Sequence, residues 1–393
     1  MSARTLTLCA AVLWAAGMYG CATTAKAPAS RSQGEAAPVF QADQVIAPQL
    51  IRGSNYRIAE RVPVEEYAYV FTIKSDFGDI VAQGRDMLDL RLRELKSIEA
   101  ARKLSKDPHV VDGILDPLED TGKGLVLIFT EPLESLDRAP RGFVRMVNQF
   151  VDPADRRAGS PERRKLATEL DCDPETTNPV LKELLDEMAV QQFGGSLVTR
   201  AAISFVPGLS VLPTTAEIKD TIANSPPSAI NDEIDKELEA AGVEKSIRSR
   251  FCKSAAFTTM QRLQVMEQFR ALEAVGGRAA LLEEAAEART QAEALGTIRE
   301  GKMLLEIHKT KPIQRMKFVG LPLAVLGDGT HVVVCPYDYV NNTQELADGV
   351  RAYREANPGV TTVFLTADPV SQAARKTLES ANIAVIEGGP SNW

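Results

Sequence analysis

The stretch Leu321-Pro322-Leu323-Ala324-Val325-Leu326-Gly327-Asp328-Gly329-Thr330-His331-Val332-Val333-Val334-Cys335 decides the fold class. Two short apolar runs flank Gly327-Asp328-Gly329-Thr330, the pattern of two strands joined by a hairpin turn. Downstream, Asn342 with Glu345 three residues later reads as a helix start, and Asn357-Pro358-Gly359 as its stop. Thr361 to Thr366 reads as a further strand, Asp368-Pro369 opens a helix through Ser380, and Ile383 to Ile386 forms a last strand. The order β-β-α-β-α-β predicts a mostly parallel sheet with right-handed crossovers over 312–393.

In open sheets of this kind ligands bind outside the carboxyl ends of the strands. Those ends carry Asp338, Asp368 and Glu387, with Tyr339, Asn341, Asn342, Thr366, Gly388 and Gly389 around them. Three carboxylates on one edge suit a divalent cation or acid/base work, which would make the chain a metal-dependent hydrolase or phosphotransfer enzyme. The same residues also suit helix caps and solvated loops, and Asp368 stands where a cap is needed. Neither a glycine-rich phosphate loop, a nucleophile elbow nor a partner histidine accompanies them. No cofactor and no metal ligand is therefore assigned.

Upstream, residues 226–311 read as long helices after the linker-like Asn224-Ser225-Pro226-Pro227-Ser228, including one charged, Ala-rich run from Arg278 to Lys309 set off by Gly276-Gly277. Without a sustained heptad, these helices point to an intramolecular bundle. Residues 41–225 open with alternation from Tyr67 to Gln83, a hairpin with Gly78 in its turn. An amphipathic helix from Asp86 to Lys103 follows, with Met87, Leu88, Leu92, Leu95, Ile98 and Ala101 on one face and Arg91, Arg93, Glu94 and Lys96 largely on the other. Asp76-Phe77-Gly78 lacks every companion of a kinase magnesium motif and reads as chance. A weak repeat, Leu115 to Asp120 and Thr130 to Ser135, suggests short helices lying on the protein's own core or, with Leu125 to Phe129, on a lipid surface. Asn178-Pro179 reads as a cap and first helical residue. Leu197 to Leu212 is too short and too broken by Arg200, Pro207 and Gly208 to span a bilayer. The fold class expected is α+β and mostly helical: a small N-terminal hairpin with helices, a helical bundle, and an α/β module.

The first twenty residues hold Arg4 and an apolar run from Leu6 to Gly17. A helix of about twelve residues is roughly 18 Å long, short of a hydrocarbon core of about 30 Å, so 1–20 reads as a cleaved signal peptide. Gly20-Cys21 resembles a bacterial lipobox, with Met18 and Tyr19 less usual before it. The resemblance implies lipidation of Cys21, and two or more acyl chains anchor durably. An ordinary secreted protein cut after Ala22 or Ala25 is the alternative. Ala22 after the cysteine implies, by the same resemblance, the outer membrane, with the chain facing the periplasm. Residues 21–40 are rich in Ala, Ser, Thr and Pro and read as a flexible stalk.

The chain has 393 residues, 44% of them hydrophobic, and a formal net charge of −8, which becomes −9 once Arg4 is removed with the signal. An acidic surface without basic clusters excludes nucleic acid as a partner. Trp14 and Trp393 are the two tryptophans, too few for stacking sugars, so a glycan is not expected either. Beyond Cys9 and Cys21, the cysteines Cys172, Cys252 and Cys335 suit no zinc cluster; Cys172 and Cys252 form the one plausible bridge, with buried free thiols the alternative. His109, His308 and His331 are far apart and read as structural.

Phe71-Thr72 through Phe77-Gly78, the helix with Leu92-Arg93-Glu94 and Ile98, the segment Asp173-Pro174 to Asn178-Pro179 and the closing α/β module together resemble a family of exported bacterial hypothetical proteins. The resemblance implies no activity and carries over no site residues. The function expected is a lipid-anchored envelope protein with a non-enzymatic binding or scaffolding role and a protein partner. The carboxylate enzyme, and a lipid-handling protein with an internal tunnel, are the alternatives.

Overall fold

The computed structural model describes residues 35–104, 126–127, 157–190 and 214–393. The signal, residues 21–34 of the stalk with Cys21, His109, the repeat around Leu115 and Thr130, and the apolar stretch 197–212 lie outside them. The end of the expected stalk is corrected, because Glu35 accepts from Asn342 N–H and Ser371 Oγ and Val39 and Phe40 belong to a strand. The chain is mixed α/β with two sheets.

The first sheet is larger than the hairpin expected from sequence. It contains β1 (Val39–Gln41), β2 (Tyr56–Ile58), β3 (Arg61–Glu65), β4 (Ala68–Ser75), β5 (Gly78–Gln83) and the short β6 (Val126–Leu127). The spatial order is β1-β3-β4-β5-β6, with β2 pairing the far end of β4; all pairs are antiparallel except β5 with β6. Strict alternation places Tyr69, Phe71, Ile73, Ile80 and Ala82 on the buried face. Helix α1 (Arg85–Leu104) packs there, burying all six apolar residues its periodicity assigned to that face.

The opposite face of α1 is not wholly solvated, which corrects the sequence reading. Arg91 and Glu94 are only 1% and 2% exposed, because the loop 171–178 lies over them. Arg91 donates to Glu94 (2.7 Å) and to Thr177 Oγ1 (2.7 Å), while Thr176 and Asn178 donate to the same carboxylate. Buried charge is tolerated when paired and hydrogen-bonded in this way.

The middle of the chain is helical: α2 (Pro161–Glu169), α3 (Pro179–Val190), α4 (Ala216–Asn224), α5 (Pro227–Ala240), α6 (Lys245–Lys253), α7 (Thr259–Ala271), α8 (Ala279–Glu287) and α9 (Gln291–Thr310). The side chain of Asn178 accepts from Leu181 N–H at the start of α3, as its position ahead of Pro179 predicts. The single run expected from Arg278 to Lys309 is two helices. Ala288 leaves the helical conformation, and Thr290 starts α9 by accepting from Glu293 N–H. The break lets α9 pack against both α1 and α7. Among the described residues no helix is long and apolar enough to cross a membrane.

The second sheet runs β7 (Ile313–Phe318), β8 (Pro322–Leu326), β9 (His331–Cys335), β10 (Thr362–Thr366), β11 (Ile383–Ile386), in that order. It is mixed: β7–β8 and β8–β9 are antiparallel, β9–β10 and β10–β11 parallel. The expected mostly parallel sheet is corrected because β7, unread in the sequence, adds a second antiparallel pairing. Helices α10 (Gln344–Ala356) and α11 (Gln372–Ser380) cross over between the parallel strands and cover one face with a compact apolar cluster. The other face joins a continuous core that extends from Ala42 through the helices to Leu365. Burial on both faces explains why β8 and β10 read as unbroken apolar runs. Gly276-Gly277 ties the bundle to β7: the Gly276 carbonyl accepts from Met316 N–H at 2.7 Å. Gly277 has φ of 71°, and a Cβ there would strike the Met316 carbonyl.

The three cysteines Cys172, Cys252 and Cys335 are free thiols. His308 Nδ1 accepts from Ile313 N–H, and His331 Nδ1 lies 2.8 Å from the Tyr353 hydroxyl, so both serve local structure.

Candidate functional site

The carboxyl ends of β9, β10 and β11 share one edge, as the parallel pairing requires. Asp338 and Asp368 lie buried there against α1 and α9; Glu387 lies apart. The guanidinium of Arg299, on α9, reaches both buried carboxylates and a third from α1. Its Nη2 is 3.1 Å from Asp338 Oδ1, its Nη1 2.8 Å from Asp368 Oδ2, and its Nε 2.8 Å from Asp86 Oδ2. Arg85 adds a second cation to Asp368. One arginine thus joins the start of α1 to the ends of β9 and β10.

Asp338 does more than pair with Arg299. Its Oδ2 accepts the backbone N–H groups of Arg85 and Tyr69, each at 3.1 Å. Arg85 opens α1, so a carboxylate from the C-terminal module caps a helix some 250 residues earlier in the chain. A negative group at a helix N-terminus is favoured by the unpaired amides and by the helix dipole.

Asp368 is not the cap of α11 that its position suggested. Ser371 caps that helix, accepting from Ala374 N–H, which leaves the Asp368 carboxylate to the two arginines. In the same way Thr343, not Asn342, caps α10. Glu387 accepts Val370 N–H at 2.6 Å through one oxygen and pairs with Arg375 through the other, part exposed. The structure therefore brings Asp338 and Asp368 together around Arg299 and gives Glu387 separate partners. Among the described residues, no group of three or more His, Cys, Asp or Glu side chains is disposed to hold a metal ion.

Electrostatics at this junction are set first by burial. Desolvation outweighs Arg299 and Arg85 at Asp368 and lifts its carboxyl to about 6; it also raises that of Asp86, against the pull of Arg299. Burial works against the charge of Arg299 as well, but the surrounding carboxylates more than offset it, and the guanidinium stays protonated.

Beside the junction a cavity of about 120 Å³ opens between the β3–β4 turn, the start of α1, the start of α9 and the loop after β9. Glu66, Tyr67, Asp86, Gly296, Arg299 and Tyr337 are among its lining residues. The Tyr67 and Tyr337 rings lie 5.3 Å apart between centroids, inclined at 32°. Gly296 is inside helix α9, yet a Cβ built on it meets nothing within 4 Å. Five residues on, Gly301 differs, because a Cβ there would run into the Gln268 amide. Glycine inside a helix costs roughly 0.5–1 kcal/mol relative to alanine, and packing explains that cost at Gly301 but not at Gly296.

A second cavity, of about 280 Å³, lies on the far side of Asp86, where several of its polar lining residues already have structural work. Asp173 accepts from Thr258 Oγ1 and Glu175 N–H, Asp171 pairs with Lys219, and Glu94 belongs to the Arg91 network. Burial and the nearby Glu175 raise the Asp173 carboxyl to about 7.

Sequence reasoning missed Arg299, Asp86 and Arg85. In a charged helix, an arginine beside Glu300 looks like solvated surface. Gly296 is the one local anomaly that marks this face of α9. No family model matches the chain, and comparison with curated proteins and with solved structures returns no match either.

Proposed function

We propose that the chain is a lipid-anchored protein of the bacterial envelope, tethered through Cys21, whose folded part binds a protein partner rather than transforming a substrate. One observation carries the choice between binding and catalysis. The strand-end carboxylates, where an α/β sheet would present its chemistry, are engaged by Arg299 and Arg85 and by the amides at the start of α1. Two of the three residues a carboxylate enzyme would use thereby serve as structural ties, and Glu387 is committed to Arg375 and Val370. A lipid tunnel finds no support in either cavity, since charged side chains line both.

The test is membrane fractionation with crosslinked pull-down, comparing the acylated protein with Cys21→Ala. The tethered protein is expected in the membrane fraction with a defined partner set. Cys21→Ala is expected in the soluble fraction with that set reduced. Unchanged fractionation and unchanged partners would overturn the reading.

A further inference from the structure

The larger cavity is lined by polar groups that the fold leaves without partners, and they come from two helices that both pack on α9. Leu90 and Arg93 share one face of α1, three residues apart, and Gln261 and Gln264 share one face of α7 in the same way. Gln261 is 5% exposed and Gln264 8%. Gln261 Oε1 accepts from Thr258 N–H in the capping box of α7, which fixes the amide, because turning it over would set its NH2 group against that N–H. Among the described residues its Nε2 has no acceptor, and the Gln264 side chain makes no hydrogen bond. Arg93 lines the same space from α1. Its Nε is buried without a partner, and no carboxylate of the described residues pairs with its guanidinium.

The acids of the lining are engaged elsewhere: Asp86 by Arg299, Glu94 by Arg91, Asp171 by Lys219, and Asp173 by the Thr258 hydroxyl and Glu175 N–H. What remains without partners is a cation and two amides, a donor set for an oxyanion. The fork of an arginine matches a carboxylate with two parallel hydrogen bonds. Four acids in the same lining repel a doubly charged phosphate more strongly than a singly charged carboxylate. Leu90, Met260 and Leu295 add apolar surface for a carbon chain. A cavity of about 150 Å³ holds benzene, so about 280 Å³ accommodates a carboxylate with a chain of several carbons.

We propose that the cavity between α1, α7 and α9 binds a carboxylate carried on a short apolar chain. Arg93 and the amides of Gln261 and Gln264 donate to its oxygens, and Leu90, Met260 and Leu295 pack on the chain. A free aliphatic acid and the C-terminal residue of a peptide both present this chemistry. The inference goes beyond the partner binding proposed above, and no arm of its test uses Cys21, so the two readings fail separately.

The test is calorimetric titration of the full folded protein with sodium hexanoate, with hexanamide as the uncharged isostere, with inorganic phosphate, and with N-acetylglycylglycylleucine. Hexanoate is expected to bind at least about tenfold more tightly than hexanamide or phosphate, with affinity falling as salt rises. Tighter binding of hexanoate than of the peptide assigns the site to a free acid, and the reverse order assigns it to a chain end. Arg93→Met and Gln264→Leu each remove a group that has no protein partner, so both variants are expected to melt near the wild-type temperature. Arg93→Met should lose at least about tenfold in hexanoate affinity and Gln264→Leu at least about fivefold. The comparison of hexanoate with hexanamide on the wild type requires neither variant to fold. Absence of binding by both hexanoate and the peptide, equal binding of hexanamide, phosphate binding as tightly as hexanoate, or unchanged affinity in either folded variant would each overturn the proposal.

Discussion

Asp368 and Glu387 follow neighbouring parallel strands on one sheet edge, and their surroundings oppose each other. Asp368 is nearly sealed from solvent and lies between Arg299 and Arg85, which arrive from α9 and α1. Glu387 is about one-third exposed and meets Arg375 from the neighbouring crossover helix of its own module. The contrast teaches that a carboxylate at a strand end takes its role from what packs over it. Where the rest of the molecule covers the edge, the carboxylate becomes a tie between distant segments. Where solvent covers it, the carboxylate makes a local contact of small energetic weight.

The largest effect should follow from removing the central cation. Arg299→Met leaves Asp86, Asp338 and Asp368 buried around an uncharged side chain, and breaking a buried pair in this way costs about 3–5 kcal/mol. Urea unfolding measures it, and a loss below about 1 kcal/mol would erase the contrast with Glu387.

Next comes the pH dependence of Asp368. Its folded-state pKa, about 6, lies above the ordinary carboxylate value, so the folded protein holds a proton that the unfolded chain releases. The stabilisation is present below the unfolded pKa and is lost as pH rises through about 6. Asp368→Asn should remove this component and alter the slope of stability against pH by up to about 1.4 kcal/mol per unit over that window. Unfolding free energies at several pH values between 4 and 7 check it. A slope identical to wild type would mean that burial does not raise the Asp368 carboxyl.

A smaller effect of opposite sign is expected at the cavity. Gly296→Ala should stabilise the protein by roughly 0.5–1 kcal/mol, since the added methyl group meets open space. Thermal unfolding decides it, and destabilisation would mean that the face of α9 beside Arg299 packs more closely than described. Least of all, Glu387→Gln keeps an acceptor for Val370 N–H and loses a part-exposed ion pair, for a change of about 0.5 kcal/mol. A loss of several kcal/mol would give Glu387 the weight assigned to Asp368.

Much of the fold was legible because its signals are local. The β4–β5 hairpin announces itself by alternation and a glycine turn, α1 by its apolar stripe, and β8 to β11 by compact apolar runs. Strand β7 was not legible: Ile313, Met316 and Phe318 are separated by Gln314, Arg315 and Lys317, and an irregularity at Ile313/Arg315 removes the period of two. Asn178 caps α3 as read, but two caps fell on the wrong side chain, since Asn342 and Thr343, one residue apart, and Asp368 and Ser371, three apart, offer the same chemistry. Of the candidate site, sequence supplied Asp338 and Asp368 but neither Asp86 nor the arginines. Arg299 meets partners at residues 86, 338 and 368, and no periodicity or spacing encodes a contact across such separations. Arg91 and Glu94 misled for a related reason: three residues apart on a helix, they look like a solvated pair until a distant loop covers them.

The tie itself is tested most directly by a double-mutant cycle between Arg299→Met and Asp338→Asn, read by urea unfolding at neutral pH. Asp338 reaches Arg299 from the C-terminal module and caps α1 with its other oxygen, so the two substitutions act on one buried network. A coupling of about 2 kcal/mol is expected for partners in direct contact. Additivity to within about 0.5 kcal/mol would mean that the two residues act independently, and that the carboxylates at the strand ends are not held for structure.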